Sequence, residues 1–165
     1  MTRTLILTRH AKSSWDSPVT DDHDRPLNER GIKSAKALGD WMRSSGWLPD
    51  QVISSTSKRT RETFAGLGLT TKAEFTDTLY HATHNQMLRV LSQATGKTVL
   101  MLGHNPGIAD FAEELTATPP DHPRFHDYPT GATLVLQFDI QSWDRVSWGG
   151  GTVLDFIVPR DLLPQ

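Results

Sequence analysis

Thr4-Leu5-Ile6-Leu7-Thr8-Arg9-His10-Ala11-Lys12 is the stretch whose reading decides the fold. A short apolar run with β-branched residues ends abruptly in an arginine and a histidine. A strand that simply leaves the core and turns polar would look the same. In an open α/β sheet, however, ligands bind in the crevice beyond the carboxyl ends of the strands. An Arg-His pair delivered there joins an anion-binding fork to a nucleophile or base.

Working outward, a polar loop from Ser13 to Leu27 follows, rich in Asp, Ser and Pro. Asn28 then has the character of an N-cap. Ile32, Ala35, Leu38 and Met42 recur at helical spacing up to a stop at Gly46. Gln51-Val52-Ile53-Ser54 reads as a second strand. It runs into Ser55-Thr56-Ser57-Lys58-Arg59-Thr60-Arg61-Glu62-Thr63, where capping hydroxyls open a helix with three cations near its start. The helix dipole disfavours that placement, and a bound anion would resolve it. A solvated charged face is the alternative.

Ala73-Glu74-Phe75 is a short third strand. Thr83 and Gln86 have capping-box spacing ahead of a helix that turns Met87, Leu88, Leu91 and Ala94 inward and ends at Gly96. Thr98-Val99-Leu100-Met101-Leu102 is a continuous apolar run, as for a strand buried on both faces. Gly103-His104-Asn105-Pro106-Gly107 follows, with Asn105 as N-cap and Pro106 at the first helical position. Ile108, Phe111, Ala112 and Leu115 form that helix's apolar face. A proline-rich loop covers 116–130. Gly131 to Asp139 alternates with Leu134, Leu136 and Phe138 on one face, and Val153 to Val158 pairs antiparallel with it after a Gly149-Gly150-Gly151 turn. The alternation predicts an α/β fold: three layers, α/β/α, with a mainly parallel central sheet and a late antiparallel strand pair.

The 165 residues are expected to form one domain, 1–165. The chain has no cysteine, which excludes disulfides, thiolate metal sites and cysteine-nucleophile phosphatases. A net charge of −2 gives no global basic field, so neither nucleic acid nor a membrane surface is the expected partner. The first apolar run is too short for a signal peptide, and no segment has the length of a membrane span, so a cytoplasmic protein is expected.

If the strands are parallel, His10, Arg59 and His104 emerge on one sheet edge, together with the helix start at Asn105. Two histidines, at least two arginines and a helix end make a pocket for a small dianion, and phosphate fits best. Other constellations are weaker. His81 with His84, and His122 with His126, lack a metal-binding frame, and no metal or other cofactor is expected. Gly96-Lys97-Thr98 matches the tail of a P-loop, but Leu91 stands where the first glycine should be. Lys58, Arg59 and Arg61 lack the interleaved aromatics of a nucleic-acid face. The five tryptophans read as packing residues, with Trp15 able to rim the pocket.

The pattern resembles the histidine phosphatase superfamily, with its phosphoglycerate mutase-like fold. Arg9-His10-Ala11 is similar to its Arg-His-Gly signature. Ser54 to Thr63 is similar to its Ser-Ser-Pro-Leu-x-Arg-Ala-x-Gln-Thr segment, with Thr56, Ser57 and Glu62 in place of Pro, Leu and Gln. Gly103-His104-Asn105 corresponds to its second histidine. Arg9 to Asp16, Asp24-Arg25-Pro26-Leu27-Asn28-Glu29-Arg30-Gly31 and Thr130-Gly131-Ala132 resemble the SixA-type phosphohistidine phosphatases. The resemblance implies that His10 is the nucleophile, that Arg9, Arg59 and Arg25 bind phosphoryl oxygens, and that His104 completes the pocket as a donor. Ser13 and Asn105 are further candidates for substrate binding.

Phosphoryl transfer requires positioning and charge neutralisation above all. Guanidinium forks suit its oxygens, and arginines and histidines can replace a metal's charge. The general acid is the departure from the family pattern. Asp77 and His81 lie in the comparable region, and Asp16 and Asp24 lie on the polar loop. A weak acid leans towards a phosphoramidate, whose imidazole leaves more readily than an alkoxide. Short connections after the strands leave an open shelf suited to a phosphorylated protein, such as a histidine-phosphotransfer domain. A small-molecule phosphomonoesterase and a silent phosphate or phosphoprotein binder are the rival readings.

Overall fold

A computed structural model describes residues 1–16 and 21–164. Six strands form one sheet: β1 (Arg3–Arg9), β2 (Gln51–Ser55), β3 (Ala73–Thr76), β4 (Thr98–Gly103), β5 (Thr133–Phe138) and β6 (Thr152–Ile157). Their order is β3-β2-β4-β1-β5-β6. The first four strands in that order run parallel. β5 is antiparallel to both β1 and β6. The carboxyl ends of β1, β2, β4 and β6 therefore share one edge.

Side chains alternate across a strand, and here both sets are buried. Leu5, Leu7, Val99, Met101, Leu134, Leu136 and Phe138 enter one core with Met87, Leu91, Ile108 and Phe111 from the helices α3 (His84–Ser92) and α4 (Gly107–Leu115). Ile6, Val52, Leu100, Leu102 and Val135 enter a second core with Leu38, Met42 and Leu67 from α1 (Glu29–Ser45) and α2 (Lys58–Leu67). Helices thus cover both faces, which gives the expected three layers of a phosphoglycerate mutase-like α/β fold. A short α5 (Pro159–Leu162) follows β6. β5 is buried on both faces and not on one alone, because Val135 packs beneath the α1 side.

Local chemistry sets the helix limits. The Asn28 side chain caps α1 through the Gly31 N–H, and Gly46 ends it at φ 78°. Ser57 caps α2 through the Thr60 N–H. The Thr83–Gln86 capping box opens α3. Three expectations fail. Ile32 is 59% exposed, because the apolar stripe of α1 runs through Ala35, Leu38 and Met42 alone. α3 ends at Ser92, short of Gly96. Asn105 does not cap α4: Pro106 holds that position, no side chain caps the helix, and Gly107 begins it. The Asn105 amide donates instead to the carbonyls of Asp127 and Tyr128, at 3.0 and 3.1 Å.

Close backbone approaches fix the elements around the shared edge. A Cβ on Gly31 would stand 2.0 Å from the Lys12 carbonyl oxygen, and one on Gly39 would stand 2.1 Å from that of Leu67. α1 is therefore pressed against the turn after His10 at one end and against α2 further along. The N–H of Gly131, at φ 78°, donates to the carbonyls of Arg9 and His10. No helix among the described residues is long and apolar enough to cross a membrane.

Candidate active site

His10, Arg59 and His104 leave the carboxyl ends of β1, β2 and β4, and the structure brings them together. The His10 and His104 rings have centroids 5.3 Å apart. Arg59 Nη2 donates to His104 Nδ1 at 3.3 Å. All three residues are buried, with at most 5% exposure. Arg59 reaches this position because the β2–α2 connection is only Thr56 and Ser57.

His10 is held from two sides. Its N–H donates to the Gly103 carbonyl at 3.2 Å, and the following N–H, of Ala11, donates to Thr63 Oγ1 at 2.9 Å. Its ring Nδ1 lies 2.7 Å from the Ala11 carbonyl oxygen. A carbonyl only accepts, so Nδ1 carries the proton and Nε2 keeps its lone pair. Burial is the main reason that the pKa falls to about 3, assisted by Arg9, Arg59 and Arg25 and opposed by the Ala11 hydrogen bond. The ring is therefore neutral at pH 7.

His104 Nε2 lies 2.8 Å from Ser55 Oγ. Its pKa is lowered to about 2, first by burial and then by His10, Arg59 and His81. Arg9 reaches the Tyr128 carbonyl through Nη1 at 3.3 Å, and burial and Arg59 lower its pKa. Tyr128 thus orients both Arg9 and Asn105 through one carbonyl oxygen. Its own hydroxyl donates to the Leu7 carbonyl in the core. Arg25 donates to Ser13 Oγ and to Asp22 Oδ1, the latter at 3.2 Å. The exposed Trp15 ring stacks on the Arg25 guanidinium at 3.9 Å.

Asp22 is the pocket residue that the sequence did not single out. Its carboxylate receives Arg25 on Oδ1, and Arg59 (3.1 Å) and the Tyr80 hydroxyl (2.6 Å) on Oδ2; His81 Nε2 lies 3.3 Å from Oδ2. Arg59 Nη1 also donates to the Asp22 carbonyl at 2.8 Å. Burial raises the Asp22 pKa, but the Tyr80 hydrogen bond and the two arginines outweigh it and hold the carboxyl well below its usual range. Burial and Asp22 together push the Tyr80 phenol up to about 12. His81 stands at φ 55°, a left-handed conformation uncommon for residues other than glycine, with its ring 4.0 Å from Tyr80 and 5.6 Å from His104.

The other acid candidates lie further out. Asp77 is exposed and accepts from Thr56 Oγ1. Asp16 and Asp24 are exposed, and Asp24 Oδ1 lies 3.8 Å from His23 Nδ1. Among the described residues, no group of three or more His, Asp or Glu side chains is arranged to hold a metal ion. What converges instead is an excess of guanidinium charge around two neutral imidazoles. Buried charge persists only where it is paired, and the Nε atoms of Arg9, Arg25 and Arg59 are buried without a partner. The arrangement suits an anionic ligand.

Comparison with known proteins agrees. The family model of the histidine phosphatase superfamily (branch 1) matches residues 5–80. An uncharacterized protein of Mycobacterium tuberculosis is 31% identical over 159 residues, covering 92% of this chain and 99% of its own length. Among solved structures, a protein assigned as phosphohistidine phosphatase SixA from Nakamurella multipartitia superposes with a TM-score of 0.83. It is 29% identical over 97% of this chain and 98% of that one. A protein of the same assignment from Agrobacterium tumefaciens gives 0.77, at 26% identity over 95% and 98%. The chain belongs to the histidine phosphatase superfamily and is a phosphatase of its SixA-type group.

Proposed function

We propose that this phosphatase removes the phosphoryl group from phosphohistidine on a protein substrate, through a phosphohistidine intermediate at His10. The observation that carries the reading is the 2.7 Å contact from His10 Nδ1 to the Ala11 carbonyl. It fixes the tautomer in which Nε2 is the free nucleophile, inside a pocket where the ring stays neutral. Nε2 attacks phosphorus, the P–N bond to the substrate imidazole breaks, and its electron pair leaves with that imidazole, which takes up a proton. Water then attacks the phosphorus on His10, the pair returns to Nε2, and inorganic phosphate departs.

Arg9, Arg25 and Arg59 neutralise the equatorial oxygens, the main electrostatic demand of phosphoryl transfer. His104 has its Nδ1 at the Arg59 guanidinium. Nδ1 accepts from Arg59, so Nε2 carries the proton and faces Ser55 Oγ, and His104 holds the Arg59 guanidinium in place for the phosphoryl oxygens. Ser13 and Asn105 support the arginines more directly than the substrate.

Two features favour a P–N substrate over an ester. Asp22 is held ionised and Tyr80 is a very weak acid, so the groups nearest the pocket are poor proton donors for an alkoxide. The connections after β2 and β4 are Thr56-Ser57 and His104 to Pro106, which build no cap over the pocket. Assaying a phosphohistidine peptide and p-nitrophenyl phosphate with one preparation tests the reading. The expected kcat/KM ratio favours the peptide by about 100-fold, the scale of one missing acid catalyst. Faster ester turnover would make the protein a phosphomonoesterase, and turnover of neither substrate would make it a binder.

A further inference from the structure

A second concentration of positive charge lies beside the catalytic pocket. Lys12, Arg30, Arg124 and Arg160 line one cleft of about 200 Å³, with Thr130 and Pro159 also in its wall. No acidic residue lines it. The chain has 17 cationic and 19 acidic residues, so four cations in one cleft without an acid is a strong local departure from its average. Arg124 is tied to Asp127 at 2.9 Å. Among the described residues, Lys12, Arg30 and Arg160 have no carboxylate within 4 Å. The neighbouring Asp161 is turned to His122 and to the Val158 N–H.

Topology places this cleft on the reactive edge of the sheet. Lys12 is two residues beyond His10. Arg30 stands in the first turn of α1, whose cap Asn28 donates its N–H to the Lys12 carbonyl at 3.0 Å. Arg160 follows β6, which runs in the same direction as β1 because β5 opposes both. The turn after His10 therefore lies between the catalytic residues and this basic cleft.

We infer that this cleft is a docking subsite for carboxylates flanking the phosphohistidine of an acidic protein substrate, an inference that rests on the function proposed above. The four cations come from four separate segments around an open cleft, which suits a row of side-chain carboxylates better than one compact dianion. Unpaired like charges held close together repel one another, and an incoming acidic segment relieves that repulsion while steering the encounter.

The test uses two labelled phosphohistidine peptides, one with flanking glutamates and one with glutamines in their place. Binding by anisotropy and turnover are measured with wild type and R30E/R160E. Wild type should bind the glutamate peptide about tenfold more tightly at low salt. The variant should lose that preference while hydrolysing free phosphoramidate at the wild-type rate. Equal affinity of wild type for both peptides overturns the inference, as does a preference that survives in the variant. Parallel loss of phosphoramidate turnover would show that these arginines support the catalytic pocket instead, and also overturns it. Failure of every preparation to hydrolyse either peptide would refute the proposed function, with the binding comparison still deciding the subsite.

Discussion

Asp22 Oδ2 lies 3.1 Å from Arg59 Nη2, and the other oxygen of the same carboxylate takes the Arg25 guanidinium at 3.2 Å. Asp22 thus engages the donors that the proposed reaction assigns to phosphoryl oxygens. A dianion entering the pocket competes with it. Asp22→Asn should therefore tighten the binding of inorganic phosphate by about tenfold, or about 1.4 kcal/mol, measured by calorimetry at pH 7.5. Weaker phosphate binding by the variant would show that Asp22 helps to hold the ligand.

The two buried histidines make a pH prediction. Burial lowers the pKa values of His10 and His104 to about 3 and about 2, against 6.5 for a free imidazole side chain. Below pH 6.5 the unfolded chain takes up two protons that the folded chain refuses. Stability is therefore unaffected by these groups above pH 6.5 and falls as pH drops towards 3, by about 1.4 kcal/mol per pH unit for each ring. Asp22, whose pKa is also depressed, has linkage of the same sign in a lower window: its contribution is intact above the ordinary carboxyl value of 3.8 and is lost as pH falls further. Urea unfolding between pH 6.5 and 5 isolates the histidines. NMR titration of the ring carbons should show both neutral at pH 5; a midpoint near 6.5 for either would refute the burial argument.

Gly31 transmits packing to the site. Any side chain there meets the Lys12 carbonyl at 2.0 Å, and backbone cannot step aside as a flexible side chain would. Gly31→Ala should lower stability by about 1–3 kcal/mol, the cost of overpacking, which in a domain of this size is a Tm loss of about 2–4 °C per kcal/mol. Gly46→Ala meets no atom within 4 Å and is strained only by its φ of 78°, a cost of about 1–2 kcal/mol. Thermal unfolding of both, with kcat measured below the transition, separates the effects. Only Gly31→Ala should also reduce kcat, by displacing the turn after His10.

The sheet was legible because both faces of β1 and β4 are apolar and their polar ends coincide with turns. The histidines and Arg59 were legible because each follows a strand. Asn105 misled as an N-cap, since sequence order cannot tell an amide that caps a helix from one that reaches back to the carbonyls of Asp127 and Tyr128. Asp22 was not legible for a related reason. Asp21, Asp22 and Asp24 are chemically equivalent in the sequence, and only the turn of the short 3-10 helix at Asp22–Asp24 aims one of them at Arg59. Ile32 fits the helical spacing yet faces solvent, because α1 needs only a narrow stripe against α2.

The central claim is that His10 Nε2 carries the phosphoryl group during turnover. Rapid acid-free quenching of wild type with a ³²P-labelled phosphohistidine peptide should trap a phosphoenzyme stable to base and labile to acid. His10→Ala should give no labelled enzyme and lose at least about 10³-fold in kcat, the scale for removing a nucleophile. Label of the same stability on His10→Ala, or turnover by that variant near the wild-type rate, would contradict the account.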